Sequence, residues 1–161
     1  MDPVDRFVFY SELVGNLNRI IPAAEIEQVT GIGQPLKRFV KAHRFDLKPQ
    51  QPDTIDESGI DEAIVEADYG IAETGTVVID SADEKLRLAT CLAEKLTVLL
   101  EASRIREKLE DVVDFLEECS EKENGYLAFI TGASRTADIE RVLTIGVHGP
   151  REMQVIIIED M

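Results

Sequence analysis

Apolar residues recur at a helical spacing near the start of the chain. In the first 21 residues they fall near a 3.6-residue period, at Val4, Phe7, Val8, Leu13, Val14, Leu17 and Ile21. This period predicts one amphipathic helix that ends before Pro22. A second short helix is predicted over residues 35–43, because proline is favoured in the first turn of a helix. Pro49 and Pro52 then exclude a helix between them.

After Pro52 the pattern alternates between short apolar runs and amphipathic segments. Helices are predicted over residues 58–66, 85–92, 104–118 and 137–143. Strands are predicted over residues 69–72, 76–79, 96–100, 126–130 and 155–158. Strands separated by helices imply parallel pairing through right-handed crossovers. The pattern therefore predicts a single domain over residues 1–161, an α/β fold with an open, mostly parallel sheet flanked by helices.

The net charge of the chain excludes several classes of binding partner. The chain has 17 Lys and Arg against 32 Asp and Glu, so its formal net charge is 17 − 32 = −15. Such a surplus repels phosphate backbones and anionic headgroups, and no concentrated basic patch opposes it. No apolar run approaches the roughly 18 residues of a membrane span. The sequence therefore predicts a cytoplasmic protein that binds neither nucleic acid nor membranes.

Cysteine and histidine are too few to suggest a metal centre. Cys91 and Cys119 stand apart, without the close spacing that zinc or an iron–sulfur cluster requires, and both are interpreted as buried thiols. His43 and His148 are equally distant from each other. No metal site is predicted on this chain.

The first segment with candidate chemistry lies between two predicted strands. Glu73, Thr74, Gly75 and Thr76 place one carboxylate and two hydroxyls around a glycine, where the backbone can turn tightly and present side chains outward. The same composition is typical of a plain hairpin turn with a solvated glutamate. Both interpretations remain open at this point.

The second segment runs from an apolar strand through a loop of small residues into a predicted helix. Thr131, Gly132 and Ser134 form the loop, and Arg135 adds a bidentate donor beside free backbone N–H groups. This arrangement predicts a site for phosphate or carboxylate. Alternatively, Ser134 or Thr136 caps the helix and Arg135 pairs with an acidic residue of its first turn. The loop has neither the lysine of a Walker loop nor the glycines of a dinucleotide fingerprint.

The third segment is a rigid turn before the last predicted strand. His148 lies beside Gly149 and Pro150. A histidine titrates near neutral pH, so it can serve as an acid, a base or a hydrogen-bond donor. A purely structural role in the turn is the alternative.

These segments together resemble one family. The runs at residues 67–76, 131–140 and 146–150 occur in the order and with the spacing of the LUD-domain family, which lactate-utilisation protein C typifies. The resemblance covers residues 64–158, the family core, and Arg87 also matches a family position. Residues 1–56 form a divergent, shortened N-terminal part. Residues 92–96 lack the proline and histidine that family members commonly carry there.

The resemblance implies a fold similar to the phosphosugar-isomerase and CoA-transferase group, and a role in oxidising lactate to pyruvate alongside iron–sulfur partner proteins. It implies that the clusters reside in those partners and that this chain binds no cofactor itself. Glu73 and His148 are the candidate catalytic residues. The candidate ligand-binding residues are Thr74, Gly75, Thr76, Arg87, Thr131, Gly132, Ser134, Arg135, Thr136, Asp138 and Gly149.

Three functional hypotheses follow from the residues and the resemblance. The first is an accessory or substrate-binding subunit of an iron–sulfur lactate-oxidising system that binds a small carboxylate or phosphate. The second is a scaffold without a ligand of its own, and the third is an enzyme similar to CoA transferases that uses Glu73. A homodimer is also expected, because Phe7, Phe9 and Tyr10 spread apolar surface around the first helix.

Overall fold

The computed structural model describes residues 1–31, 37–55, 59–133 and 149–161, and these residues form two sheets. The helices are α1 (Pro3–Leu13), α2 (Ile26–Thr30), α3 (Glu84–Leu92) and α4 (Val113–Glu121). The strands are β1 (Leu17–Ile21), β2 (Arg38–Lys41), β3 (Ile60–Glu66), β4 (Tyr69–Ile71), β5 (Thr76–Asp80), β6 (Ala93–Glu101), β7 (Ile105–Arg106), β8 (Leu127–Ile130) and β9 (Glu152–Ile158). Short 3-10 turns occupy Ala23–Glu25, His43–Phe45, Ala102–Arg104 and Leu109–Val112.

The larger sheet is parallel throughout and has the order β1-β9-β6-β3-β2. Its central strands are near-continuous apolar runs, and Leu96, Val98, Leu99 and Leu100 of β6 are fully buried. Strands that are covered on both faces have this composition. The predicted α/β class with a mostly parallel sheet flanked by helices is therefore confirmed.

Strand β3 corrects the helix that was predicted over residues 58–66. Its register places Glu62 between Arg38 of β2 and Lys95 of β6. Glu62 forms ion pairs with both cations, at 3.1 Å to Arg38 and 3.7 Å to Lys95. The charged residues that suggested a solvated helix face are therefore cross-strand partners.

Strands β1 and β2 correct two further predictions. Helix α1 begins at the N-cap Asp2, which accepts a hydrogen bond from the Val4 N–H at 2.7 Å, and it ends well before residue 21. Gly15, at φ +90°, turns the chain into β1, which pairs with β9. Instead of the helix predicted over residues 35–43, β2 and a 3-10 turn occupy the part of that range that the structure describes. In both places strand pairing outweighs the local helical spacing.

The smaller sheet is mixed and has the order β7-β4-β5-β8. Strands β4 and β5 form an antiparallel hairpin, β8 pairs antiparallel to β5, and β7 pairs parallel to β4. The predicted helix over residues 104–118 is wrong in its first half, where β7 and a 3-10 turn precede α4. Buried Ile105 belongs to β7, and its apparent helical spacing with later residues is coincidental. The predicted helix over residues 137–143 lies outside the described residues.

The core lies mainly between the two sheets. Phe7 of α1, Leu86 and Ala89 of α3, and Val77 and Ile79 of β5 pack against one face of the parallel sheet. Helix α2 and the 3-10 turn at His43–Phe45 contribute to the cluster on its opposite face. On the outer face of the smaller sheet, α4 packs against β4 and β5. Among the described helices, none has both the length and the apolar character that crossing a membrane requires.

Candidate functional site

The turn between β4 and β5 is held tightly against the end of α1. Gly75 has φ +65°, and a Cβ atom there would lie 2.4 Å from the backbone nitrogen of Ser11. Only glycine fits this combination of backbone angle and close approach. Beside it, Glu73 accepts a hydrogen bond through Oε1 from the Leu109 N–H, at 3.3 Å. This contact is one that a turn-stabilising glutamate makes, and the catalytic role of Glu73 stays a prediction.

Three hydroxyls of the sequence-predicted set form a hydrogen-bonded chain. Thr76 Oγ1 lies 2.7 Å from Thr74 Oγ1 and 2.9 Å from Thr131 Oγ1. Thr76 is buried, whereas Thr74 and Thr131 are exposed. The chain therefore joins the β4–β5 turn to the residue that follows β8, and its two ends face solvent.

Asn16 supports this chain from the N-terminal part of the protein. Its Nδ2 donates to the Thr131 carbonyl at 2.7 Å and to Ser11 Oγ at 3.0 Å. Within the described parts of the chain, its buried Oδ1 has no hydrogen-bond partner. Asn16 was not predicted, because the sequence-based helix ran through it. The one local signal was its position after Gly15, a combination that is typical of turns.

A cleft of about 390 Å³ lies beside β8. Arg87, Thr90 and Cys91 of α3 form one wall, and β8 with the preceding Tyr126 forms another. The third boundary comes from backbone that includes Gly132 and Gly149. Three residues of the predicted ligand-binding set, Arg87, Gly132 and Gly149, therefore border one cleft.

Arg87 presents a guanidinium at the edge of this cleft. Its Nη1 donates to the Ser81 carbonyl at 3.1 Å, and its Cζ lies 4.7 Å from the centroid of the Tyr126 ring. The side chain is half-buried, and it forms no ion pair with any carboxylate that the structure describes. A guanidinium has five N–H donors, so hydrogen-bonding capacity remains after the bond to Ser81.

The structure thus places the predicted residues in two neighbouring groups. Glu73, Thr74, Gly75 and Thr76 lie at the β4–β5 turn, and Arg87 and Gly149 lie at the cleft. The segment Thr131–Gly132 belongs to both groups, through the Thr131 hydroxyl and the Gly132 backbone. The remaining predicted residues, Ser134, Arg135, Thr136, Asp138 and His148, lie outside the described residues.

A second cavity, of about 350 Å³, has the opposite electrostatic character. It lies at the carboxyl ends of β3 and β5, where Glu66, Asp68, Asp80 and Asp83 face it together with Lys41. The hydrogen bond from Lys41 to Asp83, at 2.5 Å, lowers the pKa of that carboxyl, and partial burial opposes the change.

Nearby cations neutralise two more of the carboxylates at this cavity. Burial alone would raise the pKa of Asp80, but the hydrogen bond from Lys122 at 2.8 Å and one from the Ala82 N–H lower it. Arg44 pairs with Asp68 at 2.7 Å. The acidic groups at this end of the sheets are therefore tied mainly to cations of the protein itself.

The two thiols differ in environment. Cys119 is buried, as predicted, and burial raises the pKa of its thiol. Cys91 is exposed at the cleft, so its interpretation as a buried thiol is wrong. No group of three or more His, Cys, Asp or Glu side chains in the described part of the chain is arranged to hold a metal ion.

The fold and this cleft together define an α/β protein in which the Arg87 guanidinium lies beside an apolar strand, at a cleft that Gly132 and Gly149 also border. The chain belongs to the LUD-domain family, whose model matches residues 36–158. The family resemblance read from the sequence is therefore confirmed.

Curated relatives match a shorter segment. The chain is 36% identical over 100 residues to the Escherichia coli (strain K12) protein named uncharacterized protein YkgG. This match covers 60% of this chain and 43% of YkgG. The chain is also 35% identical over 101 residues to lactate utilization protein C of Bacillus pumilus (strain SAFR-032), a match that covers 61% of this chain and 42% of that protein. The matched segment thus spans about two fifths of the length of these relatives.

A solved structure is similar over nearly the whole chain. It is a crystal structure at 1.70 Å resolution of a DUF162 family protein from Deinococcus radiodurans, with a TM-score of 0.72. The superposition covers 97% of this chain and 96% of that one at 18% sequence identity. At this identity the likeness supports the fold alone.

Proposed function

We propose that this chain acts in lactate utilisation as an accessory or substrate-binding component that holds a small anion in the cleft beside Arg87. The names of its relatives support the process, and the cleft supports the binding role. In this proposal Arg87 supplies the charge, and Gly132 and Gly149 lie at the third boundary of the cleft.

Arg87 is the observation that carries the binding role. Most half-buried cations of the described chain already have a carboxylate partner, as Arg38 has Glu62 and Arg44 has Asp68. Arg87 has instead a carbonyl and an aromatic ring. A guanidinium in this state is available to form a charge-assisted, bidentate pair with a carboxylate or phosphate.

Net charge explains why the ligand in this proposal is small. A protein with fifteen excess negative charges repels polyanions, so an anion needs a local positive group such as Arg87. A monoanion that enters the cleft reaches the guanidinium within a few ångströms. Nucleic acids and anionic membranes are unfavourable partners for the same reason.

The partnership with iron–sulfur proteins is the second element of the proposal. An accessory subunit would hand the anion to partners in which the clusters perform the electron transfer. Tagged chain purified from its native host is expected to retain proteins with iron–sulfur absorption. Purification without any such protein would contradict the partnership and leave the binding role standing.

Calorimetric titration with lactate, pyruvate, phosphate and acetyl-CoA tests the binding role. We expect at least one of these anions to bind the wild-type chain and to bind Arg87→Ala at least tenfold more weakly, since a hydrogen bond to a charged group contributes about 1.5–3 kcal/mol. Arg19→Ala is the matched control, because it removes the same charge from an exposed position on β1. Arg135→Ala tests the additional residue predicted from the sequence.

Two results would contradict this role. If none of the four anions bound the wild-type chain, the small-anion proposal would fail. Equal weakening by Arg87→Ala and Arg19→Ala would show that only the overall charge matters and that the cleft is not the site.

A scaffold role is the second candidate, and the β4–β5 turn favours it. The contacts of Glu73, Gly75 and Thr76 are accounted for by turn geometry and packing against α1. Under this alternative the chain binds partner proteins with no small ligand. Co-purification of partner proteins, together with titrations that detect no binding of a small anion, would favour the scaffold role over the binding role.

A further inference from the structure

We infer that the cleft takes an anion with an extended apolar tail, a straight-chain or aryl carboxylate of about six or more carbons, in preference to a three-carbon acid. The inference deepens the proposed function and rests on it, because both need Arg87 as the partner of the anionic group. What it adds is the chemical class of the ligand.

The size of the cleft is the first argument. At about 390 Å³ it falls within the range of roughly 300–1,000 Å³ that is typical of pockets for drug-sized ligands. A three-carbon hydroxy acid has about six non-hydrogen atoms and fills roughly 100 Å³ at protein packing density. Such an acid would leave most of the cleft to water.

The chemistry of the walls is the second argument. None of the described residues that line the cleft is Asp or Glu, although one residue in five of the whole chain is acidic by the count of 32 in 161. The second cavity, by contrast, is faced by several carboxylates. Among the residues that the structure describes, those that line this cleft therefore contribute no carboxylate that would repel an anion.

The third argument is that apolar surface extends from the charged group along β8. Arg87 of α3 lies over the Tyr126 ring, and β8, which follows Tyr126, lines the cleft with its four apolar residues, Leu127–Ile130. Phe129 is 48% exposed, which is unusual for a phenylalanine in a sheet, and Tyr126 is 53% exposed. Exposed aromatic and apolar surface of this kind is typical of ligand-binding grooves. An anionic head at Arg87 would therefore direct an apolar tail along β8.

A homologous series of carboxylates tests this inference directly. Acetate, butyrate, hexanoate and octanoate carry the same head and differ only in tail length. Each methylene group that becomes fully buried is expected to lower Kd about fourfold. Calorimetric titration should therefore show Kd falling steadily from butyrate to octanoate, with octanoate binding more tightly than lactate.

Cys91 provides a second measurement on the unmodified protein. It lines the cleft and is exposed, whereas Cys119 is buried, so iodoacetamide should alkylate Cys91 selectively. Octanoate in the cleft is expected to slow this alkylation at least fivefold, and lactate at the same concentration is expected to slow it less. Peptide mass spectrometry resolves the two cysteines.

Substitutions on α3 test whether the apolar tail of the ligand binds in the cleft. Cys91→Trp fills the cleft from α3 and is expected to abolish the gain in affinity with tail length. Leu88→Trp is the matched control, since Leu88 is a partly exposed residue of the same helix that does not line the cleft. Arg87→Ala should weaken every member of the series by a similar factor, because all share the head group.

The outcomes separate the inference from the proposed function. If lactate or pyruvate binds through Arg87 and Kd is unchanged along the series, the inference is wrong and the function stands. If no carboxylate of the series binds and Cys91 alkylation is unaffected, the inference fails; the proposed function fails with it only if lactate, pyruvate, phosphate and acetyl-CoA also do not bind. A tail-length dependence that persists in Cys91→Trp and is accompanied by no protection of Cys91 would place the apolar contact elsewhere and overturn the inference.

Discussion

The parallel sheet and the mixed sheet differ in how far their strands are buried and in the polar groups that these strands present. In the parallel sheet, β6 and β9 are buried over most of their length, and their residues belong to the apolar clusters on both faces. In the mixed sheet, β8 is only partly covered, the β4–β5 turn carries hydroxyls, and ion pairs occupy the ends of the strands.

Because of this difference, the parallel sheet mainly stabilises the fold, whereas the mixed sheet borders the candidate site. A sheet covered on both faces by apolar side chains provides most of the stability and can present little chemistry. A sheet with an open edge strand can border a cleft. The candidate binding residues accordingly lie on or beside the mixed sheet, and the parallel sheet supports them from behind.

The largest expected contrast is in stability. Leu99→Ala removes a fully buried side chain from the centre of the parallel sheet, so the free energy of unfolding should fall by about 2–5 kcal/mol. Phe129→Ala, at the half-exposed edge of the mixed sheet, should lower it by less than about 1 kcal/mol despite the larger side chain. Urea denaturation followed by circular dichroism measures both. Equal losses would mean that the two sheets share the stabilising role.

The second prediction concerns the contact between α1 and the β4–β5 turn. Gly75 and Gly15 both have positive φ angles, so alanine at either position strains the backbone by about 1–2 kcal/mol. At Gly75 the new Cβ also meets the Ser11 backbone, which adds about 1–3 kcal/mol. Gly75→Ala should therefore destabilise the protein clearly more than Gly15→Ala, measured by the same denaturation. A larger loss at Gly15 would show that the turn readily moves away from α1.

The sequence predicted those strands whose apolar pattern is strong. Strands β4, β5, β6, β8 and β9 and helix α3 were anticipated, because each is a clear apolar run or follows a turn signal. Strands β1, β2, β3 and β7 were missed. The polar residues of β3, notably Glu62, find their partners on neighbouring strands, and a single segment of sequence does not reveal such pairing.

The candidate site likewise contains residues that the sequence predicted and residues that it did not. Arg87 came from the family resemblance, whereas Gly132 and Gly149 came from the second and third candidate segments, and all three border one cleft. Tyr126 and Asn16 were not anticipated as parts of the site, because their roles arise from contacts between distant segments. Asn16 reaches Thr131 across 115 positions of sequence, and no local pattern encodes that distance.

Ion pairs connect the two sheets at the second cavity. Lys41, at the end of β2 in the parallel sheet, pairs with Asp83, which follows β5 of the mixed sheet and caps α3. Both side chains are about one-third exposed, so the pair contributes at most about 1 kcal/mol. The connection is therefore weak in energy, and its pH dependence distinguishes it from the apolar contacts between the sheets.

The smallest expected effect is the loss of this pair in acid. The pKa of Asp83 is lowered in the folded protein from its ordinary value of 3.8, mainly by the hydrogen bond from Lys41. The pair therefore stabilises the fold above that ordinary value, and the contribution is lost as the pH falls through the lower folded-state pKa.

Asp83→Asn removes the charge and keeps a good N-cap residue. Its free energy of unfolding should lie up to about 1 kcal/mol below that of the wild-type protein at pH 6, and the difference should disappear as the pH falls below 3.8 and through the lower folded-state pKa of Asp83. Urea denaturation at a series of pH values measures this, with Asp53→Asn in an exposed loop as the control. A difference that stayed constant across the series would indicate that Asp83 acts through its cap and that the two sheets are joined by apolar contacts alone.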